Sequence, residues 1–246
     1  AEYIKSFDSG GFTVGDEIGV NDNNKNYVAY GWNVGAAAAS ASSDGSITPD
    51  VQWKNATSGI SISLFDTGSN GVKTIGHGLG APVDFFIARG RDSTVNALTY
   101  DREATGVSNF FKLNLSNSRG SSSEIWSAND PSNTILGFNV PNSNPANVDT
   151  VIWAWAEIHG FSKMGIYRGN GSTSGPFVFT GFRPAMLIIK NSNSGGDWQM
   201  YDEARHDHNP YDTFLEVNDS QAENDDGYSD IRMCANGFQV IKDGND

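Results

Sequence analysis

Residues 58–159 and 160–246 carry the same succession of motifs, and this self-similarity limits the fold more than any other feature of the chain. Gly59-Ile60-Ser61, followed by Gly68 and Gly71, matches Gly160-Phe161-Ser162, followed by Gly169 and Gly171. Gly78-Leu79-Gly80-Ala81-Pro82, leading into Phe85-Phe86-Ile87-Ala88-Arg89, matches Gly181-Phe182-Arg183-Pro184, leading into Met186-Leu187-Ile188-Ile189-Lys190. Tyr100-Asp101 matches Tyr201-Asp202, residues 110–114 match 214–218, and Gly137-Phe138-Asn139-Val140 matches Gly237-Phe238-Gln239-Val240. The offsets stay between 100 and 104 residues. They predict a tandem duplication of a unit of about 100 residues, the size of one β-sandwich domain.

A third, partial copy opens the chain. Gly11-Phe12-Thr13-Val14, then Tyr27-Val28-Ala29-Tyr30-Gly31-Trp32, follows the order of Gly137 to Val140 and then Thr150-Val151-Ile152-Trp153-Ala154-Trp155. The expected organisation is therefore terminal strands of a preceding repeat over 1–35, an Ala/Ser/Gly linker over 36–57, repeat one over 58–159, and repeat two over 160–246 without its last strand. Two arrangements fit this pattern. The chain is cut from a longer array of repeats, or the N-terminal strands of one copy complete the open sandwich of a neighbour by strand addition, giving a filament or ring.

Short apolar segments recur at 60–65, 85–88, 110–115, 134–140, 151–156, 177–180, 185–190, 213–217 and 237–241, each bounded by Gly, Asn, Asp, Ser or Pro. That spacing predicts antiparallel strands in a sandwich or barrel. With 28 Gly, 11% aromatic and 18% charged residues, the chain is poor in helix formers and rich in turn formers. The fold class expected is all-β, as tandem antiparallel β-sandwich, jelly-roll-like repeats. In Val151-Ile152-Trp153-Ala154-Trp155-Ala156 both alternate sets are apolar, which predicts a central strand covered on both faces.

Sixteen Lys and Arg stand against 29 Asp and Glu, a formal charge of −13. This is the wrong sign for a nucleic-acid binder, and no basic stripe interrupts it. The longest apolar stretches fall far short of the roughly 20 residues a membrane-spanning helix needs. A single cysteine, Cys234, excludes an internal disulfide or a Cys-based zinc site, and its place beside Met233 predicts a small buried apolar residue. Ala1-Glu2-Tyr3-Ile4 shows neither an initiator Met nor a leader, so the chain reads as processed or cut from something larger.

Several of these motifs together resemble a known family. Ser6-Phe7-Asp8-Ser9-Gly10-Gly11-Phe12-Thr13-Val14, Asn26 to Trp32, Asp44-Gly45-Ser46-Ile47-Thr48 and Gly76-His77-Gly78-Leu79-Gly80-Ala81-Pro82 look like a domain of unknown function common in tailed phages, especially marine ones. Gly175-Pro176-Phe177-Val178-Phe179-Thr180-Gly181-Phe182-Arg183-Pro184-Ala185 and Trp198-Gln199-Met200-Tyr201-Asp202 are similar to the same family. The resemblance covers nearly the whole chain. It implies a virion structural protein of the tail-fibre, appendage or other surface type, and brings no catalytic residues with it. The chain departs from the family pattern in having no terminal aromatic strand before Asp246 and in carrying paired histidines within 203–211.

Candidate sites are few. Trp126, Trp198, Tyr201 and Tyr211 lie in polar stretches and could stack on sugar rings, whereas Trp153 and Trp155 read as core. His206-Asp207-His208, with Asp202 and Asp212 nearby, is the one metal-like cluster; histidines two apart in an extended segment would point the same way, but a solvated loop is the favoured reading and no metal is assigned. Asn21-Asp22-Asn23-Asn24 and Asn224-Asp225-Asp226-Gly227 leave structural calcium as a lesser alternative to ordinary turns. Gly76 to Gly80 leads into a strand rather than a helix, so its glycines serve turns, not a phosphate.

The expectation is a non-enzymatic, extracellular protein of the virion surface, a tail fibre, appendage or decoration acting in assembly and in host adhesion. Its partners would be itself, with a trimer as the expected homo-oligomer, other virion proteins and host surface glycans. The alternatives are a carbohydrate-binding module for host glycans, a self-assembling extracellular filament subunit and, last, a depolymerase.

Overall fold

A computed structural model describes residues 2–36, 40–224 and 229–242. It divides into two compact units, Ala1–Asn33 and Val34–Asp246. The first unit is a hairpin of β1 (Ile4–Asp8) and β2 (Gly11–Val14), followed by a single helical turn, α1 (Ile18–Asn21). Phe7 pairs with Phe12 across the hairpin, and the Thr13 hydroxyl donates to Asp8 at 2.9 Å. Two strands alone have little apolar area to bury, and Ile4, Phe7 and Phe12 are all exposed.

In the second unit nine strands come first: β3 (Val51–Asn55), β4 (Ile60–Asp66), β5 (Gly71–Gly76), β6 (Phe85–Gly90), β7 (Leu98–Asp101), β8 (Asn109–Lys112), β9 (Gly120–Ser121), β10 (Ile135–Val140) and β11 (Asp149–Trp155). Seven of them form one antiparallel sheet in the order β3-β4-β11-β6-β7-β8-β9, and β5 pairs with β10 in a second. The two sheets close on one core. Phe65 of β4 meets Phe138 of β10 at 5.6 Å, and Phe86 of β6 lies edge-on to Trp126 at 4.9 Å. The Gln52 amide spans the layers, donating to Ser63 and to the Gly76 carbonyl at 2.9 and 2.7 Å.

Strand β11 is central, as its double apolar pattern predicts. Ile152 and Ala154 enter the core, while Val151, Trp153 and Trp155 cover the other face, where Trp155 meets Phe85 at 5.6 Å. Gly78, in the turn that follows β5, has φ +66°, a conformation that side chains disfavour, which is why a glycine stands there.

Six further strands follow: β12 (Ser174–Phe179), β13 (Met186–Ile189), β14 (Gln199–Asp202), β15 (Leu215–Glu216), β16 (Ser229–Cys234) and β17 (Gly237–Lys242). They make two three-stranded sheets, β12-β17-β16 and β13-β14-β15, around Tyr201, Tyr211, Phe214, Ile231, Met233 and Phe238. The chain is an all-β sandwich protein, and each of the nine apolar segments contains a strand.

Two local expectations need correction. Within the stretch read as a linker, residues 51–55 form β3; Val51-Gln52-Trp53-Lys54 looks polar because its inward residue is a glutamine with every polar atom engaged. Residues 37–39 of that stretch lie outside the described residues. Cys234 ends β16 half-exposed rather than buried, its thiol 3.6 Å from the Arg232 carbonyl, because the inward position is taken by Met233. Among the described residues no helix is long and apolar enough to cross a membrane.

Candidate functional site

The four aromatic residues expected to stack on sugars are between 0 and 5% exposed. Trp126 donates its indole N–H to the Asn109 carbonyl at 2.8 Å and stands edge-on to Phe86 and Tyr100. Trp198 donates to the Lys112 carbonyl at 3.2 Å and meets Phe111 edge-on at 5.5 Å. Tyr201 packs on Phe214, and Tyr211 stacks on His206 at 4.4 Å. None offers a ring face to a sugar, so the predicted glycan platform is corrected: these rings are core. A carbonyl at the indole nitrogen removes the penalty of burying it, which lets tryptophan with polar neighbours turn inward.

Trp198 instead joins the two halves. Around it the Arg119 N–H donates to the Ser192 carbonyl at 3.1 Å, the Gly196 N–H to the Ser116 carbonyl at 2.8 Å, and the Lys190 ammonium to the same Ser116 oxygen at 3.3 Å.

The paired histidines diverge. Residues 203–210 turn rather than extend, so His206 faces inward and His208 outward. His206 Nδ1–H donates to the Asp202 carbonyl at 3.0 Å, and Nε2 accepts from the Thr213 N–H at 3.3 Å with the Thr213 hydroxyl 2.9 Å away. His208 lies between Asp207, 2.9 Å from Nδ1, and Asp212, 3.4 Å from Nε2, and these carboxylates raise its pKa. Among the described residues no three His, Cys, Asp or Glu side chains are grouped to hold a metal ion. Of the calcium candidates, Asp22 accepts from its neighbour Asn23 at 2.8 Å in a turn where Asn24 has φ +58°. Residues 225–227 lie outside the described residues.

A family comparison bears on the whole chain. The model of a domain of unknown function, DUF7483, matches residues 1–246. The chain belongs to the DUF7483 family. No curated protein and no solved structure matches it.

In this DUF7483 chain a third cluster escaped the sequence reading. Asp84, Asp101, Arg102, Glu103, Glu157, Lys163 and Met164 line a cavity of about 60 Å³. Asp84 accepts from Arg102 Nε at 2.9 Å and from the Glu157 N–H at 2.8 Å, and Arg102 also reaches the Val83 and Pro131 carbonyls. Glu157 pairs with Lys163 at 2.9 Å and accepts from the Met164 N–H at 2.8 Å. Asp101 accepts from the Glu103 and Ala104 N–H groups at 3.0 and 2.7 Å; burial nevertheless raises its pKa. The acids bind backbone and cations, an arrangement that clasps the end of β11 to β6, β7 and residues 163–164. The sequence hides it because its members are spread from position 84 to 164, with no motif to mark them.

Proposed function

We propose that this DUF7483 chain is a non-catalytic structural protein on the outer surface of a tailed-phage particle, of the fibre, appendage or decoration type, and that its work is assembly with itself and with other virion proteins. The phage setting comes from the motif resemblance. The observation that carries assembly is where the side chains go. Aromatic and acidic groups that could bind or catalyse are engaged in holding the sandwich together, whereas apolar strand residues such as Val72, Phe177, Phe179 and Ile188 face outward.

The proposal includes two like units in tandem, and paired local geometry supports it. β6 lies on β7 with Phe85 opposite Asp101 and Phe86 opposite Tyr100; β13 lies on β14 with Met186 opposite Asp202 and Leu187 opposite Tyr201. The Asn114 side chain accepts from the Ala97 N–H and donates to Asn96, as Asn218 accepts from the Trp198 N–H and donates to Asp197. Like units suit extended, symmetric assemblies. Host adhesion falls to surfaces other than Trp126, Trp198, Tyr201 and Tyr211.

The test is immunolabelling. Antibodies against the purified chain should mark intact particles of a tailed phage whose genome encodes it, at a fixed position in negative-stain images. Label confined to particle-free fractions of the lysate overturns the proposal.

A further inference from the structure

Strand β11 is paired on both edges. Asp149 to Trp155 run opposite Asp66 to Ile60 of β4, and Thr150 to Trp155 opposite Gly90 to Phe85 of β6. The strand that matches β6 in the second half is β13, at an offset of 101 residues from Phe85 to Met186, and it keeps the register of β6 on its partner. Its other edge differs. Among the described residues β13 ends its sheet, and Ile188, the counterpart of Ile87, is 45% exposed.

The place of β4 tells the same story. Residues 161–167, which follow the match between Gly59-Ile60-Ser61 and Gly160-Phe161-Ser162, form no strand, and Phe161 and Ile166 are each 63% exposed. Even so, Tyr167 meets Phe238 at 5.9 Å much as Phe65 of β4 meets Phe138 at 5.6 Å. Both neighbours of a β11-like strand are thus represented, and both leave apolar side chains in water. Edges of this kind are templates for an added strand.

The sequence contains a segment of the right pattern. Residues 27–32 repeat the order of residues 150–155, with Val28, Tyr30 and Trp32 in the places of Val151, Trp153 and Trp155, and the small Ala29 and Gly31 in the core-facing places of Ile152 and Ala154. In the first unit this segment is in no strand, and Tyr27, Val28 and Trp32 are 40 to 53% exposed. The Tyr27 hydroxyl is held by the Ile18 carbonyl and the Asp22 N–H, which anchors one end of the segment.

We propose that residues 27–32 of a second copy of this chain add antiparallel to the free edge of β13, taking beside it the position that β11 takes beside β6. The β11–β6 register transfers directly. Trp32 then lies opposite Met186, Tyr30 opposite Ile188 and Val28 opposite Lys190, so that backbone hydrogen bonds supply affinity and alternate side chains supply register. Each copy donates one strand and accepts another. The contact is heterologous, and it propagates into a filament or closes into a ring according to its rotation. The inference deepens the assembly reading and rests on its two like units; it does not depend on the phage setting.

Directly opposed residues in an antiparallel pair stand about 4.5–5.5 Å apart, within disulfide range. The test therefore uses the full chain with Cys234→Ser, so that Tyr30→Cys and Ile188→Cys supply the thiols. Mild oxidation of an equimolar mixture of the two single-cysteine proteins should give a mixed covalent dimer, and the double variant a ladder of higher species. Circular dichroism and tryptophan fluorescence establish that each variant is folded. In parallel, light scattering of the unmodified chain should show mass rising with concentration, and Val28→Pro, which removes a backbone donor, should return it towards the monomer. A double variant that closes only within one chain, or an unmodified chain monomeric at every concentration with no mixed dimer, overturns the inference. Either result leaves the particle-surface reading to the labelling experiment.

Discussion

Trp126 shows how a single residue can mislead when its neighbours are taken as its environment. Trp126 sits in an isolated bridge and Trp198 in a loop, so no strand alternation told which way either ring would face, and the polar Ser127 is buried beside Trp126. The information that would have placed them is the carbonyl at each indole nitrogen, and that is a tertiary fact. Trp126→Ala should cost about 3–5 kcal/mol, the range for emptying a buried aromatic site, and Trp126→Phe less, since it mainly strands the Asn109 carbonyl. Urea unfolding reads both. A loss below about 1 kcal/mol in Trp126→Ala would show that the ring is not core.

His77 yields a pH prediction. Its Nε2–H donates to the Ser132 carbonyl at 3.2 Å, Nδ1 accepts from the Leu79 N–H at 3.3 Å, and burial lowers its pKa below the usual 6.5. A depressed folded pKa means that the unfolded chain takes up the proton first on acidification. The stability linked to His77 is therefore complete above about pH 6.5 and is lost as the pH falls from there through the folded pKa. His208, raised by Asp207 and Asp212, has the opposite sign, and it lies on the surface where screening weakens it. The urea midpoint should drop between pH 7 and 5, and His77→Gln should flatten that drop. An unchanged slope would remove His77 as its source.

At the level of elements, two turns of the same design respond differently to the same substitution. After β7, the Asp101 carboxylate accepts from the N–H groups of Glu103 and Ala104; after β14, Asp202 accepts from those of Ala204 and Arg205. Only Asp202 also binds a guanidinium, with Arg205 Nε at 2.5 Å and both side chains nearly buried. Burial raises the Asp101 pKa, so its charge is a liability at neutral pH, and the stability it gives is lost as the pH rises through the folded value. Asp101→Asn keeps the acceptor and drops the charge, and should change stability by less than about 1 kcal/mol. Asp202→Asn removes one of the two carboxylates that hold Arg205, Glu223 being the other, and with it a charge-assisted hydrogen bond, and should cost about 1.5–3 kcal/mol. Equal losses by thermal or urea unfolding would contradict the distinction.

These turns were legible as the repeated Tyr-Asp pair; their strands were legible wherever apolar residues ran together. Strands with a polar inward face, such as β3 with Gln52, were not, because periodicity records hydrophobicity and not the satisfaction of a buried amide. The two histidines of 206–208 were placed wrongly for a related reason. An extended backbone would have aligned them, but the Asp202 turn redirects the chain just before.

Across the whole molecule, the seven-stranded sheet and the two smaller sheets predict unequal stability within one compact unit. β11 has a strand on each edge and the larger core beneath it, whereas among the described residues β12 and β13 each have one free edge and exposed apolar residues. Among the described residues the halves meet at two places, the Trp198 ring on Phe111 with a few hydrogen bonds between residues 112–119 and 190–198, and the Glu103 and Glu157 carboxylates on residues 163–166, and no pattern within either half announces them. Amide hydrogen exchange measures the balance. Amides of β11 and of β4 and β6 beside it should exchange only by global unfolding, and those of β12 and β13 by openings of smaller free energy. Trp198→Ala should widen the gap, since it removes one of the two contacts that couple the second half to the first. If all strands exchange together before and after that substitution, the coupling lies elsewhere and the halves fold as one cooperative body.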